Sequence, residues 1–434
     1  MDSKKQHGFD TRAIHYGFAP DERSGTFTVP IHMASAYTFK SSEYARRLFT
    51  LEEEGNIYTR MQNPTTNILE ERLASLEGGI GAVAASSGNA AEFMTFLTLA
   101  SSGDNIISSR DIYGGSVNLF GKTMARTGIS CTFVDGDDPE NFARATNERT
   151  KAYFFETVGN PTCNITDIEA VAKIAREKGI PVIVDNTLTT PYLFRPKDFG
   201  ANIIIHSTTK FLSAHGTIIG GITVDCGNFI WKDNPRFPDF NQPDSNYNNI
   251  IYADIPDNKA FIVKLRAQIL RDIGACQSPF NAWLTLCGME TLSLRMERHC
   301  QNAKDAAEFL LKHPAVEKVN FPAIPGQPHH QLAMKYFPKG IGGVLSFDLK
   351  GGREAGAKFI DSLQLFSHVA NLGDTKSLAT HPASSTHSQL SLEQLEAIRI
   401  GPGTVRLSLG LEDIEDLIAD LEQALTCSKL GMRN

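Results

Sequence analysis

The chain has 434 residues, a formal net charge of −7, and 41% hydrophobic against 21% charged residues. This composition is that of a globular protein, and it excludes collagen, coiled coils, disordered chains and small secreted scaffolds. The lack of basic excess argues against nucleic acid as a partner, and no apolar run approaches the roughly 20 residues of a membrane span.

The segment before Gly79 shows no clear helical period. It contains Pro30, Gly55 and Pro64, which interrupt regular structure. We therefore predict that the chain begins with an extended arm, which we assign to residues 1–60.

From Gly79 to Gly221, short β-rich runs alternate with helical patterns. Strands are predicted at Ala82–Ala85, Asn105–Ser108, Ile129–Val134, Lys151–Glu156, Ile180–Asp185 and Ala201–His206. Helices are predicted at Asn89–Ala100, Ser116–Arg126 and Thr166–Lys178, the last with Thr166 as its cap. This alternation predicts an α/β domain, residues 61–275, with a mostly parallel sheet and helices on both faces.

Residues 227–258 are rich in Asn, Asp and Pro yet hold six aromatic residues, which predicts an ordered loop without regular structure. The remainder, residues 276–434, predicts a smaller C-terminal α/β domain. Its helices are predicted at Thr291–Lys312 and Glu412–Leu425, and its strands at Gly343–Leu349 and Val405–Leu409.

Three motifs follow predicted strands of the larger domain. Ser87-Gly88-Asn89 opens a helix, where backbone N–H groups favour a phosphate. Asp185 ends a buried strand, where a carboxylate needs a cationic partner such as a protonated pyridine nitrogen. Ser207, Thr209 and Lys210 offer two hydroxyls and an amine at another strand end.

Taken singly, these motifs are also compatible with a helix cap, a turn aspartate and a solvated lysine. Together they predict a pyridoxal 5′-phosphate (PLP) site, with the phosphate at the helix start, Asp185 on the ring nitrogen and Lys210 as the Schiff-base lysine.

The chain resembles the Cys/Met-metabolism family of fold-type I PLP-dependent enzymes over nearly its whole length. The motifs that carry this resemblance are Tyr58-Thr59-Arg60, Asn63-Pro64-Thr65, Ser87-Gly88, Tyr113-Gly114-Gly115, Asn160-Pro161-Thr162, Asp185-Asn186-Thr187, Ser207-Thr208-Thr209-Lys210, His381-Pro382-Ala383-Ser384 and Val405-Arg406-Leu407-Ser408. The resemblance implies the fold of a fold-type I PLP-dependent transferase.

The resemblance also implies roles for individual residues. Gly88 and Asn89 would bind the phosphate through the backbone, with Ser87, Ser207 and Thr209 beside it. Tyr113 would stack on the ring and take part in proton transfer with Lys210, and Asn160 would lie near the ring oxygen. Arg406 would hold the substrate carboxylate, with Asn371 and Asn160 nearby. Tyr58 and Arg60, on the arm, would reach the phosphate of a neighbouring subunit.

Three parts of the chain resemble the sulfhydrylase branch of the family: Asn371-Leu372-Gly373-Asp374-Thr375-Lys376, the insertion at 227–258, and Pro279-Phe280-Asn281-Ala282-Trp283 followed by Gly288-Met289-Glu290-Thr291-Leu292. This branch joins O-acetyl-L-homoserine and sulfide to give L-homocysteine and acetate, in methionine biosynthesis. Cystathionine γ-synthase and methionine or cystathionine γ-lyase activities remain alternatives on the same site. Methionine γ-lyases usually have a cysteine where this chain has Gly115, which counts against that activity.

Two classes outside the family are less compatible with the sequence. A dinucleotide-binding protein would need a Gly-x-Gly-x-x-Gly turn that residues 79–88 do not supply, and a non-catalytic binding module would not explain Lys210 with Asp185. We also expect a homotetramer built from dimers with shared sites. The seven scattered cysteines and the polar N-terminus predict a reduced, cytoplasmic protein without a metal site.

Overall fold

The computed structural model describes residues 7–20, 22, 24–385 and 399–430. Its strands are β1 (Gly81–Ala85), β2 (Asn105–Ser109), β3 (Ser130–Val134), β4 (Thr150–Glu156), β5 (Val182–Asp185), β6 (Ile203–His206), β7 (Gly221–Asp225), β8 (Val316–Asn320), β9 (Val344–Leu349), β10 (Ser367–His368), β11 (Leu378–Thr380) and β12 (Thr404–Ser408). Its longer helices are Phe9–His15, Ser42–Phe49, Pro64–Glu77, Gly88–Leu99, Ile168–Lys178, Pro279–Met289, Leu292–Lys312, His330–Tyr336, Gly352–Ser362 and Ile414–Leu430. Within these described ranges, no helix is both long and apolar enough to cross a membrane.

The larger sheet has seven strands in the order β1-β7-β6-β5-β4-β2-β3. Every strand runs in the same direction except β7, which is antiparallel to both β1 and β6. The predicted mostly parallel sheet is therefore confirmed.

Alternate residues of the central strands pack on opposite faces of this sheet. Val182 and Val184 of β5 belong to one hydrophobic core, whereas Ile183 belongs to another. The helix Gly88–Leu99 contributes Met94 to the second core. Because both faces are covered, the strands are almost continuously apolar, as the sequence indicated.

The parallel arrangement brings the carboxyl ends of β1, β4, β5 and β6 to one edge of the sheet. Glu156 at the end of β4 pairs with Asp185 at the end of β5. Ala85 at the end of β1 pairs with Gly221, the first residue of β7. The segments that leave this edge carry the three motifs identified in the sequence.

The smaller sheet has five strands in the order β10-β11-β12-β9-β8. Both predicted strands of this unit are present, as β9 and β12. The closing helix, Ile414–Leu430, packs against the helix Gly352–Ser362 and buries Leu417 and Leu421. The predicted domain boundaries at residues 60 and 275 stay predictions.

The structure differs from the sequence-based prediction in several places. The described residues before Gly79 include three helices, the longest being Pro64–Glu77. Strands β7, β8, β10 and β11 were not predicted, nor were the helices Pro279–Met289, His330–Tyr336 and Gly352–Ser362. Asp167 rather than Thr166 caps the helix Ile168–Lys178, with its side chain accepting from the Ala170 N–H at 3.2 Å. The predicted helix Ser116–Arg126 is a short α-helix, Gly114–Asn118, followed by π and 3₁₀ turns.

Residues 227–258 form an ordered loop, as predicted, although they include a few short helical turns. Trp231 and Phe240 are buried, and their rings stack at 4.5 Å between centroids. Phe237 and Tyr252 complete the same core. The aromatic residues thus anchor this polar segment in the core that covers one face of the larger sheet.

Candidate active site

A cavity of about 210 Å³ lies between the carboxyl edge of the larger sheet and the smaller sheet. Eleven of the residues predicted from the sequence line it: Ser87, Gly88, Asn89, Tyr113, Asn160, Asp185, Ser207, Thr209, Lys210, Asn371 and Arg406. Residues separated by more than 300 positions in the chain therefore share one small volume.

The turn after β1 forms one end of the cavity. The Ser87 side chain caps the helix Gly88–Leu99, accepting from the Ala90 N–H at 3.1 Å. The first N–H groups of the helix, at Gly88 and Asn89, have no partner within the helix and are available to an anion. A Cβ atom at Gly88 would come within 2.9 Å of the Ser207 Cβ, so this close approach requires glycine.

Ser207 and Thr209 face the same end of the cavity from the turn after β6. The Ser207 N–H donates to Thr187 Oγ1 at 2.8 Å. The Thr209 hydroxyl accepts from the Gly220 N–H at 3.0 Å and lies 3.2 Å from the Gly220 carbonyl oxygen. These bonds fix the turn, so that the hydroxyls stand beside the helix start.

Asp185 ends β5 and is partly buried at the wall of the cavity. One oxygen accepts from the Thr187 N–H at 2.8 Å. Burial raises the pKa of Asp185, while the bonds from Thr187 and the proximity of His206 oppose that shift. No lysine or arginine in the described part of the chain forms an ion pair with it, so Asp185 is suited to a cationic ligand atom.

Lys210 lies in the turn after β6. Its Nζ donates to Asn371 Oδ1 at 2.5 Å. Burial and the nearby charge of Arg406 lower the pKa of Lys210 to about 8. A neutral amine, the form that acts as nucleophile and base, is therefore accessible near neutral pH.

Arg406 projects into the cavity from the middle of β12. Its Nη1 donates to Asn160 Oδ1 at 3.2 Å and its Nη2 to the Asn371 carbonyl oxygen at 2.8 Å. Its Nε is buried without a partner, and burial lowers the pKa of Arg406 to about 10. Within the described residues no carboxylate pairs with this guanidinium, which leaves it available to an anionic ligand.

Tyr113 stands at the mouth of the cavity, 48% exposed. Its backbone N–H donates to Glu156 Oε1 at 2.7 Å. A side chain at Gly115 would collide with the Tyr113 ring. Glycine at position 115 therefore leaves room for the Tyr113 ring at the mouth of the cavity.

Eight lining residues were not assigned to the site from the sequence, and four of them are polar: Glu92, Ser116, Glu156 and Thr187. Two signals could have found the acids. Glu156 ends a buried strand just as Asp185 does, and Glu92 lies one helical turn beyond Gly88, on the same helix face.

Tyr58 and Arg60 do not line the cavity of their own chain. Both are exposed, and the Arg60 guanidinium lies 5.3 Å from the centroid of the Tyr58 ring. Their predicted role in a neighbouring subunit stays a prediction.

Comparison with known proteins gives consistent results. The family described as Cys/Met metabolism PLP-dependent enzyme matches residues 10–426. The O-acetyl-L-homoserine sulfhydrylase of Leptospira meyeri is 48% identical over 425 residues, covering 96% of each chain. O-acetyl-L-homoserine sulfhydrylase 1 of Thermus thermophilus is 48% identical over 419 residues, covering 96% of this chain and 99% of its own.

A solved structure from Campylobacter jejuni, described as an O-acetylhomoserine (thiol)-lyase, superposes with a TM-score of 0.93 at 42% identity. The match covers 97% of this chain and 100% of that one. That structure carries N′-pyridoxyl-lysine-5′-monophosphate, a lysine joined to the cofactor.

Proposed function

This chain belongs to the Cys/Met metabolism family of PLP-dependent enzymes, and we propose that it joins O-acetyl-L-homoserine and sulfide to give L-homocysteine and acetate. Two relatives named for the sulfhydrylase activity match it over nearly the full length of both chains. The product is a precursor of methionine, so we also propose a place in methionine biosynthesis.

The residues of the cavity fit PLP. The helix start at Gly88 and the hydroxyls of Ser207 and Thr209 would hold the phosphate. Asp185, an acid without a lysine or arginine partner among the described residues, would hold the ring nitrogen, and the Tyr113 ring would cover the cofactor. Lys210 would be the residue that the cofactor joins covalently.

When bound, PLP supplies an electron sink for negative charge that develops at the α carbon of an amino acid. The chain contributes the base. Lys210, with its lowered pKa, would remove the α proton and move protons at the neighbouring carbon, with Tyr113 as a second proton carrier. Loss of acetate from the γ carbon and addition of sulfide there complete the exchange.

The main support for an amino-acid substrate comes from Arg406. It is a buried guanidinium with an unpartnered Nε, held in place by Asn160 and by the backbone of Asn371. A carboxylate is the planar acceptor that such a fork binds most strongly. The substrate would therefore lie between Arg406 and Lys210, with Asn160 and Asn371 beside it.

A γ-lyase or a cystathionine γ-synthase would use the same cofactor and the same carboxylate site. The alternatives differ in what attacks the γ carbon and in whether a 2-oxo acid is released. The presence of Gly115 in contact range of Tyr113 argues against the methionine γ-lyase alternative, because a side chain there would displace the ring.

The test is an assay of the purified protein with sulfide and, in turn, O-acetyl-, O-succinyl- and O-phosphohomoserine and O-acetylserine. We expect homocysteine to form fastest from the acetyl ester and only in the presence of sulfide. Release of 2-oxobutanoate at a comparable rate without sulfide would identify a lyase instead. Cystathionine formation from cysteine at a higher rate would identify the synthase.

We further propose that the enzyme is a homotetramer of dimers and that Tyr58 and Arg60 complete the phosphate site of a neighbouring subunit. Their exposure and distance from the cavity of their own chain support this arrangement. We also propose that the enzyme works in the cytoplasm. All seven cysteines lie in the described residues and none forms a disulfide, which suits a reducing compartment.

A further inference from the structure

Three carboxyl groups line the cavity, two of them on buried residues, although only one has a role in the chemistry proposed above. Asp185 would face the ring nitrogen, and Glu156 accepts from the Tyr113 N–H. Glu92 is the third, with 3% of its surface exposed. An ionised carboxylate at such depth is unfavourable unless cations or several donors surround it.

Glu92 has few such partners. Both of its oxygens lie against one hydroxyl, Ser116 Oγ, at 2.7 and 2.9 Å. No lysine, arginine or histidine forms an ion pair with it in the part of the chain that the structure describes. A protonated carboxyl satisfies this arrangement better than an ionised one, because its O–H can donate while the hydroxyl donates in return.

The neighbouring acids also favour the protonated form of Glu92. Asp185 and Glu156 face it across the cavity, and the negative charge of Asp185 adds to burial in raising the pKa of Glu92 to about 8. Lys210 and Arg406 line the same cavity, and the histidine near this group, His206, acts on Asp185. Glu156 is also buried, and its pKa is raised for the same reasons.

We propose that Glu92 holds a proton in the folded enzyme at neutral pH, and that loss of this proton on the alkaline side adds a second negative charge beside the PLP ring and changes the state of the bound cofactor. Glu92 would thus be a positioning and charge-setting residue that acts through the cofactor environment. The proposal rests on PLP binding by the family and does not depend on which acyl ester or thiol the enzyme uses.

The first test uses the apoenzyme. In the unfolded chain Glu92 ionises near its ordinary value of 4.5, whereas the folded protein keeps the proton to about pH 8. Wild-type stability should therefore fall relative to Glu92→Gln as the pH rises from 5 to 8, and the difference should then stay constant. We expect the melting temperature of the variant to gain at least about 2 °C over wild type across this range.

The second test reads the cofactor itself. The visible absorbance of the bound cofactor is followed between pH 6 and 10, together with PLP affinity at pH 7. We expect wild type to show a spectral component with an alkaline midpoint that Glu92→Gln lacks. At pH 7 the variant should bind PLP within about twofold of wild type, because an amide replaces a neutral carboxyl.

Asp225→Asn is the matched control. Asp225 is also a buried acid, and burial raises its pKa to about 7, but it lies at the end of β7, at the opposite edge of the sheet from the cavity. Its variant should reproduce the pH trend in apoenzyme melting and keep the alkaline component of the cofactor spectrum. Ser116→Ala removes the one hydroxyl that contacts Glu92 and should move that component to higher pH.

Three results would overturn the proposal. The first is a spectral titration of Glu92→Gln that superposes on wild type. The second is an apoenzyme whose melting-temperature difference from the variant does not change between pH 5 and 8. The third is a folded Glu92→Gln protein that no longer binds PLP at pH 7, which would make Glu92 an ionised cofactor ligand. If Glu92→Gln does not fold, Ser116→Ala provides the test instead. In that case, an alkaline midpoint of the cofactor spectrum that Ser116→Ala leaves unchanged would overturn the proposal.

Discussion

Two lysines with a lowered pKa lie in two different regions of this molecule, one of them buried and the other partly buried. Lys210 lines the cofactor cavity, and Lys264 lies beneath the 227–258 segment. Burial lowers the pKa of both to about 8, so acidity does not distinguish them. Their surroundings differ, however. Lys264 Nζ donates to the Thr98 carbonyl at 3.2 Å and lies 4.4 Å from the centroid of the Phe240 ring. Lys210 instead faces the open volume of the cavity.

The difference shows how a charged group that only stabilises the fold can be distinguished from one that binds a ligand. The ammonium group of Lys264 is enclosed by an acceptor and by aromatic faces that favour a cation. The cavity instead gathers ions that the described chain leaves without counter-ions, among them Asp185 and Arg406. Charges that lack partners within the protein indicate where a ligand supplies them.

The largest expected difference in activity is between variants in which each of the two lysines is substituted in turn. Lys210→Ala should lower kcat by on the order of 10³-fold or more, because the chain loses both its covalent link to the cofactor and its base. Lys264→Met should retain activity. Borohydride reduction followed by peptide mapping should find the cofactor on the peptide that contains Lys210. Recovery of the label on Lys264 would reverse the assignment.

A smaller effect on catalysis is expected when the positive charge at position 406 is kept but the planar guanidinium group is lost. Arg406→Lys preserves the cation without the two-point fork. Losing one charged hydrogen bond at a buried site costs about 2–5 kcal/mol, so kcat/KM for O-acetylhomoserine should fall roughly 30-fold or more. Cofactor content, read from absorbance on the same preparation, should stay normal. Unchanged kinetics would remove Arg406 from carboxylate binding.

The arm provides a test of whether the cavity is complete within one chain. Inactive Arg60→Ala subunits are mixed with inactive Lys210→Ala subunits. If Arg60 serves a neighbour, hybrids hold some sites with both residues intact, and activity should return to at most about a quarter of wild type. Demonstrated subunit exchange without any recovery would mean that Arg60 acts in its own chain.

The smallest effect on activity is expected at Lys264, where the change should appear in stability alone. The folded protein releases this proton near pH 8 and the unfolded chain near its ordinary value of 10.5. Wild type should therefore gain about 3 kcal/mol relative to Lys264→Met between pH 8 and 10.5. Denaturant unfolding of both proteins across this range measures it. A difference that does not vary with pH would show that Lys264 keeps its proton in the fold.

Much of the cavity could be predicted because its residues follow strand ends. Asp185 and Lys210 come directly after apolar runs, and a parallel sheet brings such positions to one edge. Arg406 was assigned from the family resemblance. It lies on β12 of the smaller sheet, and nothing in the sequence of that strand indicates that it faces the carboxyl edge of the larger sheet. Glu92 was missed because it lies inside a helix, where an acid is ordinarily taken as solvent-exposed.

The helix Pro64–Glu77 was missed for a different reason. It is buried on several sides, and Glu70, Arg72 and Glu77 are among its buried residues. Its apolar stripe consists of Leu69, Leu73 and Leu76, and because buried charged residues lie beside that stripe, the contrast between an apolar and a polar face is weak.

The reversed direction of β7 has a consequence for how the enzyme could diversify. Because β6 and β7 are antiparallel neighbours, residues 207–220 leave and rejoin the sheet at the same edge. The other connections that leave this edge return through a helix on one face of the sheet, so a change in their length would disturb a packed layer. The Lys210 turn has no such crossover, but it carries Ser207, Thr209 and Lys210 and buries Phe211, so a change in its length would displace the cofactor residues themselves. New substrate preferences are therefore expected to arise through substitutions in the cavity rather than through insertions or deletions in this connection.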